Sequence, residues 1–246
     1  MSNRTAFDFH TLPLRPAASI TELGATVVVA PHPDDEALGC GGLIALLRRA
    51  AVPVQVVLIS DGTMSHPNSR KFPPAARQAL REAELQQALV ELEVEAPLIC
   101  LGLPDSKVPG EGHTHFQEAV TQLRAVLWVA QPATVLCPWR RDPHPDHRAT
   151  SQLVRAALTF EPAPRLLEYV VWAWERAMPA DLPQPNEATG WRLDISPVLN
   201  QKQRAIAAHR SQLAPGIIDD DPTGFLLSSE MLAHFAQPFE VYLEVM

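Results

Sequence analysis

The chain has 246 residues, ordinary apolar and charged content (46% and 20%) and a formal net charge of −8. That balance excludes disordered and collagen-like chains, and it lacks the overall basic footprint that sequence-independent nucleic-acid binding needs. No run approaches the roughly 18 uninterrupted apolar residues of a membrane helix, so no membrane insertion is expected.

Residues 1–22 read as an irregular N-terminal arm containing Pro13 and Pro16. Arg4, Asp8 and Arg15 interrupt any apolar core of signal-peptide type, which points to the cytoplasm. The three cysteines, Cys40, Cys100 and Cys137, are far apart and form no CxxC, which argues against a disulfide framework.

The first strand is Ala25–Ala30, a continuous β-branched run of the kind that is buried on both faces. It stops at Pro31, and a helical apolar pattern follows over 36–51, with Leu38, Leu43, Ile44 and Leu47 on one side. The unit then recurs. Strands are expected at Val54–Ile59, Leu98–Leu101, Ala133–Cys137 and Leu166–Ala173, and helices over 75–93, 115–130 and 146–159. Such alternation predicts βαβ units: a single-domain, Rossmann-like α/β fold with a mainly parallel sheet flanked by helices. The last third is less regular. Trp191–Ile195 and Phe239–Val245 read as strands and 197–211 as a helix; the alternating pattern of Phe239–Val245 suits an antiparallel edge strand.

Ligands of open α/β sheets bind beyond the carboxyl ends of the strands, so polar residues following different strands share one crevice. His32-Pro33-Asp34-Asp35-Glu36 follows the first strand and His144-Pro145-Asp146-His147 the fourth. A lone His-Pro-Asp is usually turn chemistry with the Asp capping a helix. Two such patches behind strands of one sheet make that reading insufficient. Three ligands drawn from His and carboxylate, with one position left to water, describe a catalytic zinc site, although Fe²⁺, Co²⁺ or Mn²⁺ also suit these ligand types. Adjacent carboxylates at 34 and 35 point in different directions, so one can ligate while the other takes a proton from the activated water. Gly39-Cys40-Gly41-Gly42 follows the acidic run instead of the strand, which fits helix packing better than a dinucleotide fingerprint.

These two motifs, with Gly41-Gly42, Ser60-Asp61-Gly62, Arg81 and Glu84, Leu101-Gly102-Leu103-Pro104-Asp105 and Ala208-His209-Arg210-Ser211-Gln212, resemble the PIG-L/LmbE-type zinc-dependent N-deacetylases over roughly residues 25–213. The resemblance implies that His32, Asp35 and His147 ligate the metal. It makes Asp34 the general base, and His144, oriented by Asp146, the group that stabilises the oxyanion. It implies an N-acetylated amino-sugar derivative as the small-molecule substrate, with Arg81 and Asp105 near its hydroxyls and His209 as a further substrate contact. Arg81 equally suits a solvated helix face pairing with Glu84, and His209 a surface position.

The loop Pro138-Trp139-Arg140-Arg141-Asp142 adds an aromatic and two cations beside the second motif. Trp139 either stacks on a pyranose face or packs its own loop, and Arg140 suits a phosphate or carboxylate. Residues 62–76 look like a mobile rim with His66 on the surface, as are His113 and His115. The acidic stretch 219–221 has no partner identifiable from sequence. Two rivals stay open, a hydrolase of a non-sugar amide or thiol conjugate and a catalytically silent sugar- or nucleotide-binding module. Sequence alone does not choose an oligomeric state.

Overall fold

A β-branched run with no polar face needs cover on both sides. The computed structural model, which describes residues 7–159, 161–184 and 186–245, supplies it. The strands are β1 (Leu14–Arg15), β2 (Thr26–Ala30), β3 (Val54–Ser60), β4 (Ile99–Leu103), β5 (Thr134–Pro138), β6 (Arg165–Tyr169), β7 (Ala188–Asp194) and β8 (Phe239–Val245). The α-helices are α1 (Asp35–Arg49), α2 (Pro74–Glu91), α3 (Phe116–Ala130), α4 (Pro145–Ala157), α5 (Leu199–Ala208) and α6 (Ser229–Phe235).

All eight strands form one sheet in the order β1-β7-β8-β6-β5-β2-β3-β4. From β6 to β4 the pairings are parallel. Alternate side chains of β2 serve opposite layers: Val28 packs with Leu43, Ile44 and Leu85 of α1 and α2, whereas Val27 and Val29 pack with Leu123 and Leu153 of α3 and α4. Each fully buried Val, Leu or Ile contributes about 1.5–3 kcal/mol, so these two layers hold the sheet centre rigidly.

The glycines of α1 let the helix lie close on its neighbours. A Cβ on Gly39 would run into the Tyr169 ring, and one on Gly42 would sit 2.6 Å from Ile195 Cγ2. Cys40 is fully buried among them, away from any ligand role.

Two expectations shift in detail. Phe239–Val245 is antiparallel, but it lies between β6 and β7 instead of at the rim. The rim on that side is β1, drawn from the expected N-terminal arm, where Leu14 and Arg15 pair with Arg192 and Leu193. Residues 1–6 of that arm lie outside the described residues. No described helix is long and apolar enough to cross a membrane.

From β2 the chain moves to β3 and β4 on one side, then returns to β5 on the other. The sheet therefore has a switch point between β2 and β5, where the loops leaving the two carboxyl ends diverge and open a crevice. Both histidine motifs begin there.

Candidate metal centre

The first motif forms the turn from β2 into α1. Asp35 opens the helix, and its Oδ2 accepts the His32 backbone N–H at 2.9 Å, closing the turn. The same oxygen lies 3.2 Å from His32 Nδ1 and 3.2 Å from His147 Nε2. Asp34 precedes the helix at φ 130° and ψ −28°, a conformation that L side chains rarely adopt. Contacts on both sides of Asp34 hold it there. Its N–H donates to Glu36 Oε2 at 3.0 Å, while Arg81 of α2 donates to Pro33 O at 2.7 Å and to Asp34 Oδ2 at 3.3 Å.

The second motif forms the turn into α4. Pro145 is its first helical residue and His144 its N-cap, with Nδ1 accepting the Asp146 backbone N–H at 3.2 Å. His147, one turn in, is completely buried. Both of its ring nitrogens lack a hydrogen bond, and Nδ1 lies 3.3 Å from Asp142 Oδ1. The rings of His32, His144 and His147 lie with centroids 4.7–5.5 Å apart. Residues separated by more than a hundred positions thus share one site. His32, His144 and His147 bring ligand atoms within 4.8 Å of one another, as do His32, Asp105 and Asp146.

The charges follow from this crowding. Burial drives the Asp34 pKa up to about 7, against the pull of Arg81 and with a push from Asp35. Burial would raise Asp35 as well, but His147 and His32 outweigh it and hold this carboxyl far below its usual range. Burial opposes charge on His147, yet Asp35 and Asp142 lift it to about 9. His144 goes the other way, pushed down to about 4 by burial and by the neighbouring His147 and His32. The neutral His144 ring, with Nδ1 occupied as acceptor, carries its proton on Nε2 and is a donor.

The same crevice is lined by Arg81, Asp105, Trp172, Arg176 and Phe225. Asp105 follows β4, where its carboxylate accepts the Met64 N–H at 2.8 Å and lies 3.4 Å from His32 Nε2. Asp146 does not orient His144 through its carboxylate, as the sequence suggested. That carboxylate faces His32 Nε2 at 3.2 Å and accepts the N–H groups of Ser106 and Val108; only the backbone N–H of Asp146 meets His144.

Three expected substrate contacts lie elsewhere. Trp139 is fully buried and donates from Nε1 to Asp181 O at 2.6 Å, so it packs its own loop. Arg140 turns to the buried Glu168 at 3.1 Å and stacks over Trp139. His209 is buried behind the first motif, where Nε2 meets Glu36 Oε1 at 2.8 Å. The segment carrying it is tied to α2 by Glu84, which accepts both the N–H and the hydroxyl of Ser211 at 2.7 and 2.6 Å.

His66 is buried too, and the 62–76 rim has a partner. The Asp220 carboxylate accepts from the Ser69 hydroxyl and from the N–H groups of Arg70 and Lys71, and Asp221 accepts from Asn68. The acidic stretch thus zips onto the rim, and Phe225 N–H closes it by donating to Ser65 O at 2.7 Å. His113 and His115 are exposed, as expected.

Sequence reasoning missed Asp142, which sits two residues before His144 and accepts its N–H at 3.0 Å while facing His147. Its spacing in Asp-Pro-His-Pro-Asp-His was the available signal. It also missed Trp172 and Arg176, for which no local pattern existed.

Comparison with known proteins agrees with this geometry. The profile of PIG-L, described as GlcNAc-PI de-N-acetylase, matches residues 27–158, more than half of the chain. A probable N-acetyl-alpha-D-glucosaminyl L-malate deacetylase 2 of Bacillus cereus is 30% identical over 76% of this chain and 82% of its own length. A diacetylchitobiose deacetylase of Thermococcus kodakarensis is 27% identical over 75% of this chain and 68% of its own. In fold, the chain is similar to the N,N'-diacetylchitobiose deacetylase of Pyrococcus horikoshii, with a TM-score of 0.63 at 23% identity over 79% and 72% of the two chains. With its paired histidine motifs converging at the switch point of the sheet, the chain belongs to the PIG-L family of de-N-acetylases.

Proposed function

We propose that this protein removes the acetyl group from an N-acetylated amino-sugar derivative in the cytoplasm, using a zinc ion held by His32, Asp35 and His147. The observation that carries the reading is the convergence of His32 and His147 on one Asp35 oxygen, with Asp34 facing the same crevice. The donor set fits a zinc site: two imidazoles and a carboxylate, one imidazole having both nitrogens buried and without a hydrogen bond. Asp105 and Asp146 are weaker candidates because they lie against His32 alone, at 3.4 and 3.2 Å, whereas Asp35 reaches both imidazoles. Asp142 beside His147 Nδ1 is the outer carboxylate that commonly orients a ligating imidazole. Three unpaired cysteines fit a reducing compartment.

The chemistry a divalent ion contributes at such a site is polarisation of the amide carbonyl and acidification of water. Asp34 is the base that takes the proton from the attacking water. A pKa near 7 lets it accept that proton and return it to the departing nitrogen at neutral pH. His144, neutral and donating from Nε2, hydrogen-bonds to the carbonyl oxygen as negative charge builds on it. Arg81 lines the crevice and fixes the strained Asp34 turn. Trp172 and Phe225, not Trp139, supply the aromatic wall of the crevice.

The test is deacetylation of N-acetylglucosamine, its α-linked conjugates and N-acetyl amino acids by metal-stripped and zinc-restored protein. Activity on the amino sugars that disappears with chelator and returns with Zn²⁺ is expected. Activity indifferent to metal, or confined to N-acetyl amino acids, overturns the reading.

A further inference from the structure

The crevice has two unlike sides. On the side of β3 and β4 lie Arg81 and Asp105, both committed to the protein: Arg81 donates to Gly62 O, Pro33 O and Asp34, and Asp105 accepts from Met64 N–H. On the side of β6 lie Trp172 and Arg176. The Arg176 guanidinium sits over the Trp172 ring, 4.0 Å from its centroid. That ring faces His144 in turn, at 6.4 Å and 26° between planes, and Phe225 abuts its edge at 5.5 Å. Arg176 is exposed, and among the described residues it pairs with no carboxylate.

Stacking on an indole holds a guanidinium in place while leaving its N–H donors free in the ring plane. Such a planar fork matches the two oxygens of a carboxylate or phosphate. Arg176 is therefore a pre-positioned, uncompensated cation at the mouth of a crevice whose inner walls are acidic and imidazole groups. With its acetamido group at Asp34 and His144, a sugar seated against the β3–β4 side extends its remaining substituent toward β6.

We infer that Arg176, stacked on Trp172, forms an aglycone subsite selecting amino-sugar conjugates whose aglycone carries an anionic group. The inference rests on the deacetylase reading and adds the charge of the substrate to it. One singly charged fork, in a crevice that also holds Asp34, Asp35 and Asp105, favours a carboxylate over a dianionic phosphate, and separate substrates distinguish the two.

The experiment uses zinc-loaded full-length protein and three synthetic N-acetylglucosaminides, with a glycolic acid aglycone, its uncharged amide, and a phosphate ester of matching length. The quantity read is the ratio of kcat/KM for each acidic substrate over the neutral amide, in wild type and in Arg176→Gln. Wild type is expected to favour the carboxylate by about tenfold or more, as one charge-assisted hydrogen bond does. The preference should shrink in high salt and collapse toward unity in Arg176→Gln. A phosphate preference that Arg176→Gln also abolishes supports the subsite and reassigns its ligand.

Equal kcat/KM for all three substrates, or a preference that survives Arg176→Gln, overturns the inference while leaving the deacetylase reading intact. Hydrolysis of none of the three marks failure of the deacetylase reading itself, and the subsite falls with it.

Discussion

The buried Glu36 gives the account a quantitative handle, because its two oxygens do separable jobs. Oε2 accepts the N–H of Asp34, and Oε1 meets His209 Nε2 at 2.8 Å. Burial opposes charge on His209, but Glu36 outweighs it and raises the imidazole's pKa, which favours a charge-assisted contact between the two. In Glu36→Gln the amide oxygen still accepts from Asp34, and the NH₂ faces His209. His209 Nδ1 is buried without a partner, so the ring proton can move there and free Nε2 to accept.

One charge-assisted contact becomes an ordinary hydrogen bond, a loss of about 1 kcal/mol. Glu36→Leu instead orphans both a buried N–H and a buried imidazole, at about 1–3 kcal/mol each. At about 2–4 °C per kcal/mol for a chain of this size, the Gln variant should melt about 2–4 °C below wild type and the Leu variant at least about 4 °C below. The Leu variant also releases the strained φ of Asp34. Its kcat should fall about a hundredfold, with zinc content unchanged because no ligand is touched. The assay pairs thermal denaturation with kcat and metal analysis. Matching melting temperatures and equal kcat for the Gln and Leu variants would refute the bracing role of Glu36.

Other perturbations separate ligand from base and packing from chemistry. Asp34→Asn should cut kcat by about 10²–10⁴-fold while zinc analysis shows normal content. In wild type the base must be ionised, and burial lifts Asp34 to about 7, so kcat/KM should climb with pH through about 7 and level off above it. A pH profile that levels near the ordinary carboxylate range would contradict this, and the limb should vanish in Asp34→Asn. Asp142→Asn removes the carboxylate behind His147 and should weaken zinc affinity about 10–100-fold, read by competition with a chromogenic chelator. Gly42→Ala drives a Cβ to 2.6 Å from Ile195. It should cost about 1–3 kcal/mol in a melt, with catalytic constants unchanged in the folded fraction.

Apolar periodicity located the central strands and helices to within a few residues, because burial on both faces writes itself directly into the residues of β2, β3 and β5. The two histidine motifs were legible for a related reason, since strand ends fix where a loop emerges. What stayed hidden depends on distant partners. The Trp139 segment has the composition of a sugar-binding loop, and only the fold brings Asp181 to its indole nitrogen. His209 looked like a surface or substrate residue until Glu36, distant in sequence, met it in the interior. The acidic stretch 219–221 and the 68–71 rim explain each other, yet neither has a local pattern naming its partner. β8 alternates as an edge strand does, but β7 and the two residues of β1 extend the sheet beyond it.

The most direct test of the metal assignment is anomalous diffraction at the zinc edge from crystals of the zinc-loaded protein. The account predicts one strong peak bounded by His32, Asp35 and His147. A peak bounded instead by His32, Asp105 and Asp146, or none within this crevice, would contradict it.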